Sequence, residues 1–299
     1  MSDTTFDITT IFLFHLQTEK RYSAHTITSY KTDLHQFCNY LIHSYEITKP
    51  ELADYHIIRS WIADLSENQI NTRSINRKIA CLRSFYKFLS SRGLIISNPM
   101  QKIIGPKTRK TIPVFIEENS INSLLEKFSF GENFSGIRDK LVLELLYGTG
   151  IRLSELINLK SSDIDLYSAQ IKVTGKGHKQ RIIPLNKSLL QLIRIYISKK
   201  LEMLKNDVGA FIVTDKGDDT YPVFIYRLVK KYLSEIEILE KKSPHVLRHT
   251  FATHLLNKGA ELNAIKDLLG HSSLSATQVY THNSLDRIKA IFDQAHPKA

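Results

Sequence analysis

Six side chains in this 299-residue chain have types suited to acting on one phosphodiester. Arg152 sits in Gly148-Thr149-Gly150-Ile151-Arg152-Leu153-Ser154-Glu155-Leu156, and Lys176 in Thr174-Gly175-Lys176-Gly177. His245 and Arg248 share Pro244-His245-Val246-Leu247-Arg248-His249, His271 follows Leu268-Leu269-Gly270, and Tyr280 comes nine residues after His271. A phosphodiester resists attack because its nonbridging oxygens are charged and its leaving alkoxide is poor. Cations aimed at those oxygens and an acid for the leaving oxygen answer both difficulties. Arginine suits the first task, being planar, permanently charged and able to donate two parallel hydrogen bonds. A tyrosine hydroxyl supplies the nucleophile. Such a set can break a phosphodiester without a metal ion or an activated water.

Taken singly, each member has an ordinary explanation beside the chemical one. Arg152 and Glu155 lie three apart on a short helical stretch, the spacing of a surface ion pair. His245 and Arg248 share a face of any helix that carries them. His245 and His249, four apart, have the spacing of metal ligands, yet no acidic or cysteine partner lies near them in sequence and Arg248 adds positive charge. No metal is expected there. Lys176 shares its segment with Lys172, Lys179 and Arg181, side chains that are either solvated or in contact with phosphate. Tyr280 is one of 13 tyrosines, and a helical tyrosine is commonly a packing residue. Order and spacing, not any single element, carry the signal.

The elements that must position these residues can be read from apolar periodicity. The first hundred residues read as four helices. Ile27, Tyr30, Leu34, Phe37, Cys38, Leu41 and Ile42 recur at helical spacing in the second, and Ile75, Ile79, Leu82, Phe85, Tyr86 and Leu89 in the fourth, which Gly93 stops. Arg73, Arg77, Lys78 and Lys87 fall mostly off that last stripe and read either as a solvated face or as a phosphate-contacting one. Residues 97–113 hold three prolines, one glycine and four cations without periodicity, which marks a basic linker. Helical segments follow near 117–128, 136–148 and 152–159. The β-branched arms 170–174 and 180–185 around a glycine-bounded turn predict a hairpin. Helices are then expected at 186–205, 222–239, 244–257, 261–269, 275–281 and 284–295. Leu285, Ile288, Ile291 and Phe292 of the last have the spacing of a packing helix, with a partner surface either in the same chain or in another.

Bulk properties agree. The chain is 42% hydrophobic and 24% charged, with a net charge of +11, which points to a polyanionic partner such as nucleic acid. Residues 1–105 carry 12 basic and 9 acidic side chains, a net of +3, and residues 106–299 carry 29 and 21, a net of +8. Both parts are therefore basic. Cys38 and Cys81 fall on apolar helix faces and read as buried free thiols rather than a disulfide framework. Neither a signal-peptide pattern nor an apolar run of roughly 18 residues is visible, so a cytoplasmic protein without membrane insertion is expected.

In order, spacing and local context, Arg152, Lys176, His245-x-x-Arg248, His271 and Tyr280 closely resemble the catalytic set of the tyrosine recombinase (phage integrase-like) family, and within it the Xer recombinases. Arg77-Lys78-Ile79-Ala80-Cys81-Leu82-Arg83-Ser84-Phe85-Tyr86-Lys87-Phe88-Leu89 resembles that group too, so the likeness spans nearly the whole chain. The resemblance implies a mainly α fold with a small β-sheet. A helical SAM-like core-binding domain (residues 1–105) would be joined by the linker 97–113 to an α+β catalytic domain (112–299), the two forming a clamp on DNA. It implies that Tyr280 attacks the scissile phosphate to leave a 3′-phosphotyrosyl bond and a free 5′-hydroxyl. His245 would accept or orient the proton of Tyr280 and Lys176 would protonate the leaving oxygen. Arg152, Arg248 and His271 would hold the phosphate oxygens, with Glu155 orienting Arg152. DNA contacts are expected from Arg73, Arg77, Lys78, Lys172, Lys179 and Arg181. No cofactor is implied. The implied partners are double-stranded DNA bearing a specific site, three further protomers in a homo- or heterotetramer with a second Xer-type recombinase, and an FtsK-like translocase. Size favours a housekeeping role in chromosome dimer resolution over a mobile-element integrase or invertase; a type IB topoisomerase is the rival of different activity.

Overall fold

Helix ends in the N-terminal part follow from the residues placed there. The computed structural model describes residues 5–108, 114–175, 179–204, 209–236 and 239–270. Among the described residues the first unit holds four α-helices, α1 (Thr5–Thr18), α2 (Ala24–Tyr45), α3 (Tyr55–Glu67) and α4 (Thr72–Ser91), with a 3-10 turn at Pro50–Leu52. Ser23, Asp54 and Asn71 each accept a backbone N–H of the following first turn, capping α2, α3 and α4. The stripes meet in one core, where Phe37 packs on Trp61 with ring centroids 4.9 Å apart and Phe12 meets Phe85 edge-on at 5.3 Å. Each such buried ring removes apolar area from water worth about 1.5–3 kcal/mol. Cys81 is buried and Cys38 half-buried, both as free thiols. Burial pushes the Cys38 thiol up to about 11, so it is no reactive thiolate at neutral pH.

One expectation for this unit changes. Lys78 is not on a free face: only 5% exposed, it donates to the Asp33 carboxylate at 2.8 Å and to Gln36. A buried ammonium needs such a counter-charge, so Lys78 is committed to the α2–α4 contact and is no phosphate ligand. Arg77 also pairs with Asp33 but keeps its side chain 42% exposed, and Arg73 is exposed. The first half of the linker packs on this unit. Met100 and Ile103 are buried, and Arg83 donates to the Ile103 carbonyl at 2.6 Å.

The chain divides into units Met1–Thr111 and Ile112–Ala299. The second is built around α6 (Phe134–Gly148), whose residues Leu141–Tyr147 are buried on every side. Around it lie α5 (Glu118–Lys127), α7 (Leu153–Ile157), α8 (Lys187–Leu204), α9 (Pro222–Leu233), α10 (Pro244–Asn257) and α11 (Leu262–Leu269). The predicted hairpin is β2 (Gln170–Thr174) with β3 (Gln180–Pro184), in register Ile171↔Ile183 and Val173↔Arg181. A two-residue strand, β1 (Ile164–Asp165), adds to β2 and makes an antiparallel sheet of order β1-β2-β3. The helix expected over 222–239 ends at Leu233, and that over 152–159 is the single turn of α7. The helices expected at 275–281 and 284–295 lie outside the described residues.

α10 is tied to the start of this unit. His254 bonds the Ile116 carbonyl through Nε2 and Tyr147 Oη through Nδ1, both at 2.9 Å. A carbonyl can only accept, so Nε2 carries the proton and Nδ1 accepts from the tyrosine. Burial pulls the pKa of His254 down, in keeping with this neutral tautomer. The last histidine of α10 is therefore a structural strut.

Candidate active site

Arg152 stands just ahead of α7, which it reaches from α6 through a tight turn at Thr149-Gly150-Ile151. Gly150 has φ +61°, and a Cβ there would lie 2.6 Å from both Phe251 and Leu269. Glycine is needed for the conformation and for the space. The Gly-Thr-Gly run thus lets the chain pass between α10 and α11 and deliver Arg152 beside them.

Glu155 is the hub of an arginine cluster. It is 3% exposed and accepts the Arg152 backbone N–H at 2.8 Å and the Arg152 guanidinium at 2.8 Å. It also receives a bidentate pair from Arg181 at 2.7 and 2.9 Å. The second amino group of Arg152 donates to the Gly270 carbonyl at 2.6 Å. Arg248, on α10, donates to the Leu269 carbonyl at 2.7 Å and to the Gly150 carbonyl. Arg152 and Arg248, 96 residues apart in the numbering, are thereby fastened to two consecutive carbonyls at the end of α11.

Two guanidinium groups hold the Glu155 carboxylate and a third, that of Arg248, is near enough to feel their charges, so the four groups together carry two positive charges in excess. Arg152 keeps its side chain 33% exposed, whereas that of Arg181 is 5% exposed and Arg248 as a residue is 9% exposed. Burial, then the charges of Arg152 and Arg181, push Arg248 down to about 9, still protonated at neutral pH. An arriving anion would relieve that repulsion. Such a cluster has the charge and the donors that suit an anion.

Burial pushes the Glu155 carboxyl up, but the hydrogen bonds and charges of Arg181 and Arg152 outweigh it and hold it at about 2, below its ordinary 4.5. A depressed carboxylate contributes stability that is complete above about pH 4.5 and is lost as pH falls toward 2, at roughly 3 kcal/mol for the full shift. Glu155→Gln is therefore expected to be less stable than the unaltered chain at pH 7, with the gap closing between pH 4.5 and 2. Urea unfolding at stepped pH checks this; a gap constant down to pH 3 would contradict it.

The remaining expected residues divide into those described and those not. His245 is exposed in the first turn of α10, on the face of Arg248 one turn on. Lys172 is exposed, its ammonium 3.8 Å from Asp163, and Lys179 is exposed at the turn end of the hairpin, opposite Gly175. Arg181 is a correction. It belongs to the same hairpin but turns inward, because its register partner Val173 faces the core. It is a buried partner of Glu155 and not a DNA contact. Lys176, His271 and Tyr280 lie outside the described residues. The glycine preceding each of the first two is described and touches the cluster. A Cβ on Gly175 would lie 3.2 Å from Glu155 Oε1, and the Gly270 carbonyl is the acceptor of Arg152. Among the described residues no three His, Cys, Asp or Glu side chains are grouped to hold a metal ion, and no helix is long and apolar enough to cross a membrane.

Comparison with known proteins gives the same organisation. Residues 114–287 match the phage integrase family and residues 10–93 the phage integrase N-terminal SAM-like domain. Tyrosine recombinase XerC of Chlorobaculum parvum is 38% identical over 314 residues, covering 96% of this chain and 94% of that one. Tyrosine recombinase XerC of Thermodesulfovibrio yellowstonii is 38% identical over 305 residues, covering 99% and 98%. The XerH site-specific recombinase bound to palindromic difH substrate, a post-cleavage complex, superposes with a TM-score of 0.70 at 22% identity, covering 88% of this chain and 78% of that one. The Tn1549 transposon integrase in complex with transposon right end DNA gives 0.70 at 20% identity, covering 94% and 97%. At these identities the two structures speak for the fold.

Proposed function

Because the chain belongs to the phage integrase family and is a site-specific tyrosine recombinase, we propose that Tyr280 is its nucleophile and that Arg152 and Arg248 form the clamp on the scissile phosphate. The observation that carries this reading is the fastening of both guanidinium groups to the consecutive carbonyls of Leu269 and Gly270. It sets two cations side by side immediately before His271, where nonbridging oxygens would need them.

The sequence of events follows from the chemistry. DNA brings its phosphate against Arg152, the more exposed cation, and against Arg248 and His271. The Tyr280 phenol has a reference pKa of about 10, so it must lose its proton during attack; exposed His245 is the group assigned to take or orient it. The P–O bond to the 5′-oxygen breaks as the bond to Tyr280 forms, and Lys176 gives the leaving oxygen its proton. The 3′-phosphotyrosyl bond keeps the energy of the original diester, so a 5′-hydroxyl from a second duplex can reverse the step without ATP. Glu155 holds Arg152 in place and takes no proton.

The partner is double-stranded DNA with a specific site, contacted also by the exposed Arg73, Arg77, Lys172 and Lys179. The core-binding region is assigned to residues 1–105 and the catalytic one to 112–299. The near-full-length likeness to XerC proteins supports a Xer-type cytoplasmic role in chromosome dimer resolution. In that role four protomers, all alike or with a second Xer-type recombinase, act on two sites under an FtsK-like translocase.

The test is trapping. The chain is incubated with fragmented host DNA, covalent adducts are recovered, and both the modified peptide and the attached DNA end are sequenced. The expected result is one adduct on Tyr280, a 3′-phosphate linkage and a recurring DNA site, undiminished by chelator. An adduct on another residue removes Tyr280 from the role, and strong inhibition by chelator would demand a metal.

A further inference from the structure

Arg181 is almost wholly buried and, in the mechanism above, does not touch the substrate, yet it joins three separate pieces of the site. Its two amino groups span both oxygens of Glu155 at 2.7 and 2.9 Å, and its Nε donates to the Leu268 carbonyl at 2.8 Å. Leu268 ends in the carbonyl next to the two that anchor Arg248 and Arg152. One planar group on β3 thus fixes Glu155, which in turn holds Arg152 through its backbone and its guanidinium. The same group fixes the end of α11, where both arginines are fastened. Packing on the other side leaves little slack, since a Cβ at Gly270 would lie 3.3 Å from Arg181.

We propose that Arg181 is a positioning residue for the phosphate clamp: by spanning Glu155 and Leu268 it sets Arg152 against Arg248 at the spacing the phosphate oxygens require. The inference rests on the clamp reading above. Without Arg181, the Glu155 carboxylate can rotate toward Arg152 and draw that guanidinium away from the ligand. A cation can stay charged and still fail if it is displaced, and a misplacement of an ångström costs about a hundredfold in rate. Lysine cannot substitute, because a tetrahedral ammonium cannot present three in-plane donors to a carboxylate and a carbonyl at once.

The experiment uses the full-length chain and a nicked duplex carrying the site mapped from the unaltered protein. The duplex is made once with the natural scissile phosphate and once with a methylphosphonate there. Replacing an oxygen by methyl removes the charge that a displaced Arg152 would fail to meet. Arg181→Met is expected to form adduct about a hundredfold more slowly on the phosphate at unchanged DNA affinity, and to recover about tenfold of that deficit on the methylphosphonate. Arg181→Lys is measured alongside and must show the same substrate dependence, with circular dichroism confirming that it folds. An equal deficit on both substrates, or no deficit in either variant, overturns the inference while leaving Tyr280 and the clamp intact. Failure of the unaltered chain to form adduct on the phosphate would instead sink the clamp reading and this inference with it.

Discussion

Tyr280→Phe is expected to bind its DNA site with unaltered affinity and to form no covalent adduct with a nicked suicide duplex. The substitution removes one oxygen and keeps the ring, so binding surfaces that use the ring's shape remain. Attack on phosphorus needs a lone pair on that oxygen, and phenylalanine has none, so the rate falls to the detection limit rather than by a factor. Other tyrosines of the catalytic unit are poor substitutes. Tyr147 is hydrogen-bonded to His254, Tyr196 donates to the Phe211 carbonyl and Tyr232 to Asp139. Burial raises the pKa of Tyr147 and of Tyr232, which makes their phenolates scarcer still. Tyr167, Tyr221 and Tyr226 are the exposed alternatives. Any adduct surviving in Tyr280→Phe should therefore be digested and mapped; finding it on one of those three would move the nucleophile and end the present assignment.

The residue types of the candidate site stand out in the sequence for a physical reason, and Arg152 and Arg248 are the two that the described residues bring together. Chemistry limits residue type sharply, so an arginine pair, a His-x-x-Arg turn and a downstream tyrosine stand out even when each is ordinary alone. The helix stripes were readable because burial demands a 3.6-residue period, and Ile75, Ile79, Leu82 and Phe85 are indeed core. What escaped was buried charge. Lys78 reads as polar and therefore outward, yet it lies three residues after Ile75 and four before Leu82, which puts it on the core face. Arg181 escaped in the same way. Strand alternation puts Ile183 inward, and Arg181, two residues earlier, must share that face. Both positions had a geometric signal that the charge of the residue masked. The partners that make these burials tolerable, Asp33 and Glu155, are 45 and 26 residues away, a distance no local pattern spans. The strand β1 was too short at two residues to leave any period at all.

Replacing Arg248 should give the next largest loss. Arg248→Ala is expected to slow cleavage by about a hundred- to a thousandfold, the roughly 3–4 kcal/mol typical of removing one preorganised donor from a developing oxyanion. The structure gives the reason that lysine should not rescue it. Two of the five guanidinium N–H groups are spent on the Gly150 and Leu269 carbonyls, which leaves three for a phosphate. A lysine ammonium has three in all, so satisfying the same carbonyls leaves one, and it cannot form a bidentate pair. Its charge is also insecure. Burial, with Arg152 and Arg181 alongside, already brings arginine down to about 9, and lysine starts lower. A lysine there would lose its proton more readily than an ordinary lysine, because both burial and neighbouring cations disfavour the charged form. Arg248→Lys should then cleave better at pH 6 than at pH 8, over a range where the unaltered chain keeps Arg248 charged. Single-turnover adduct formation across that range, with DNA affinity measured at each pH, decides the matter. A lysine variant that matches the unaltered rate at pH 8 would show that the two-donor guanidinium contact with the phosphate is not needed, which overturns the clamp role given to Arg248.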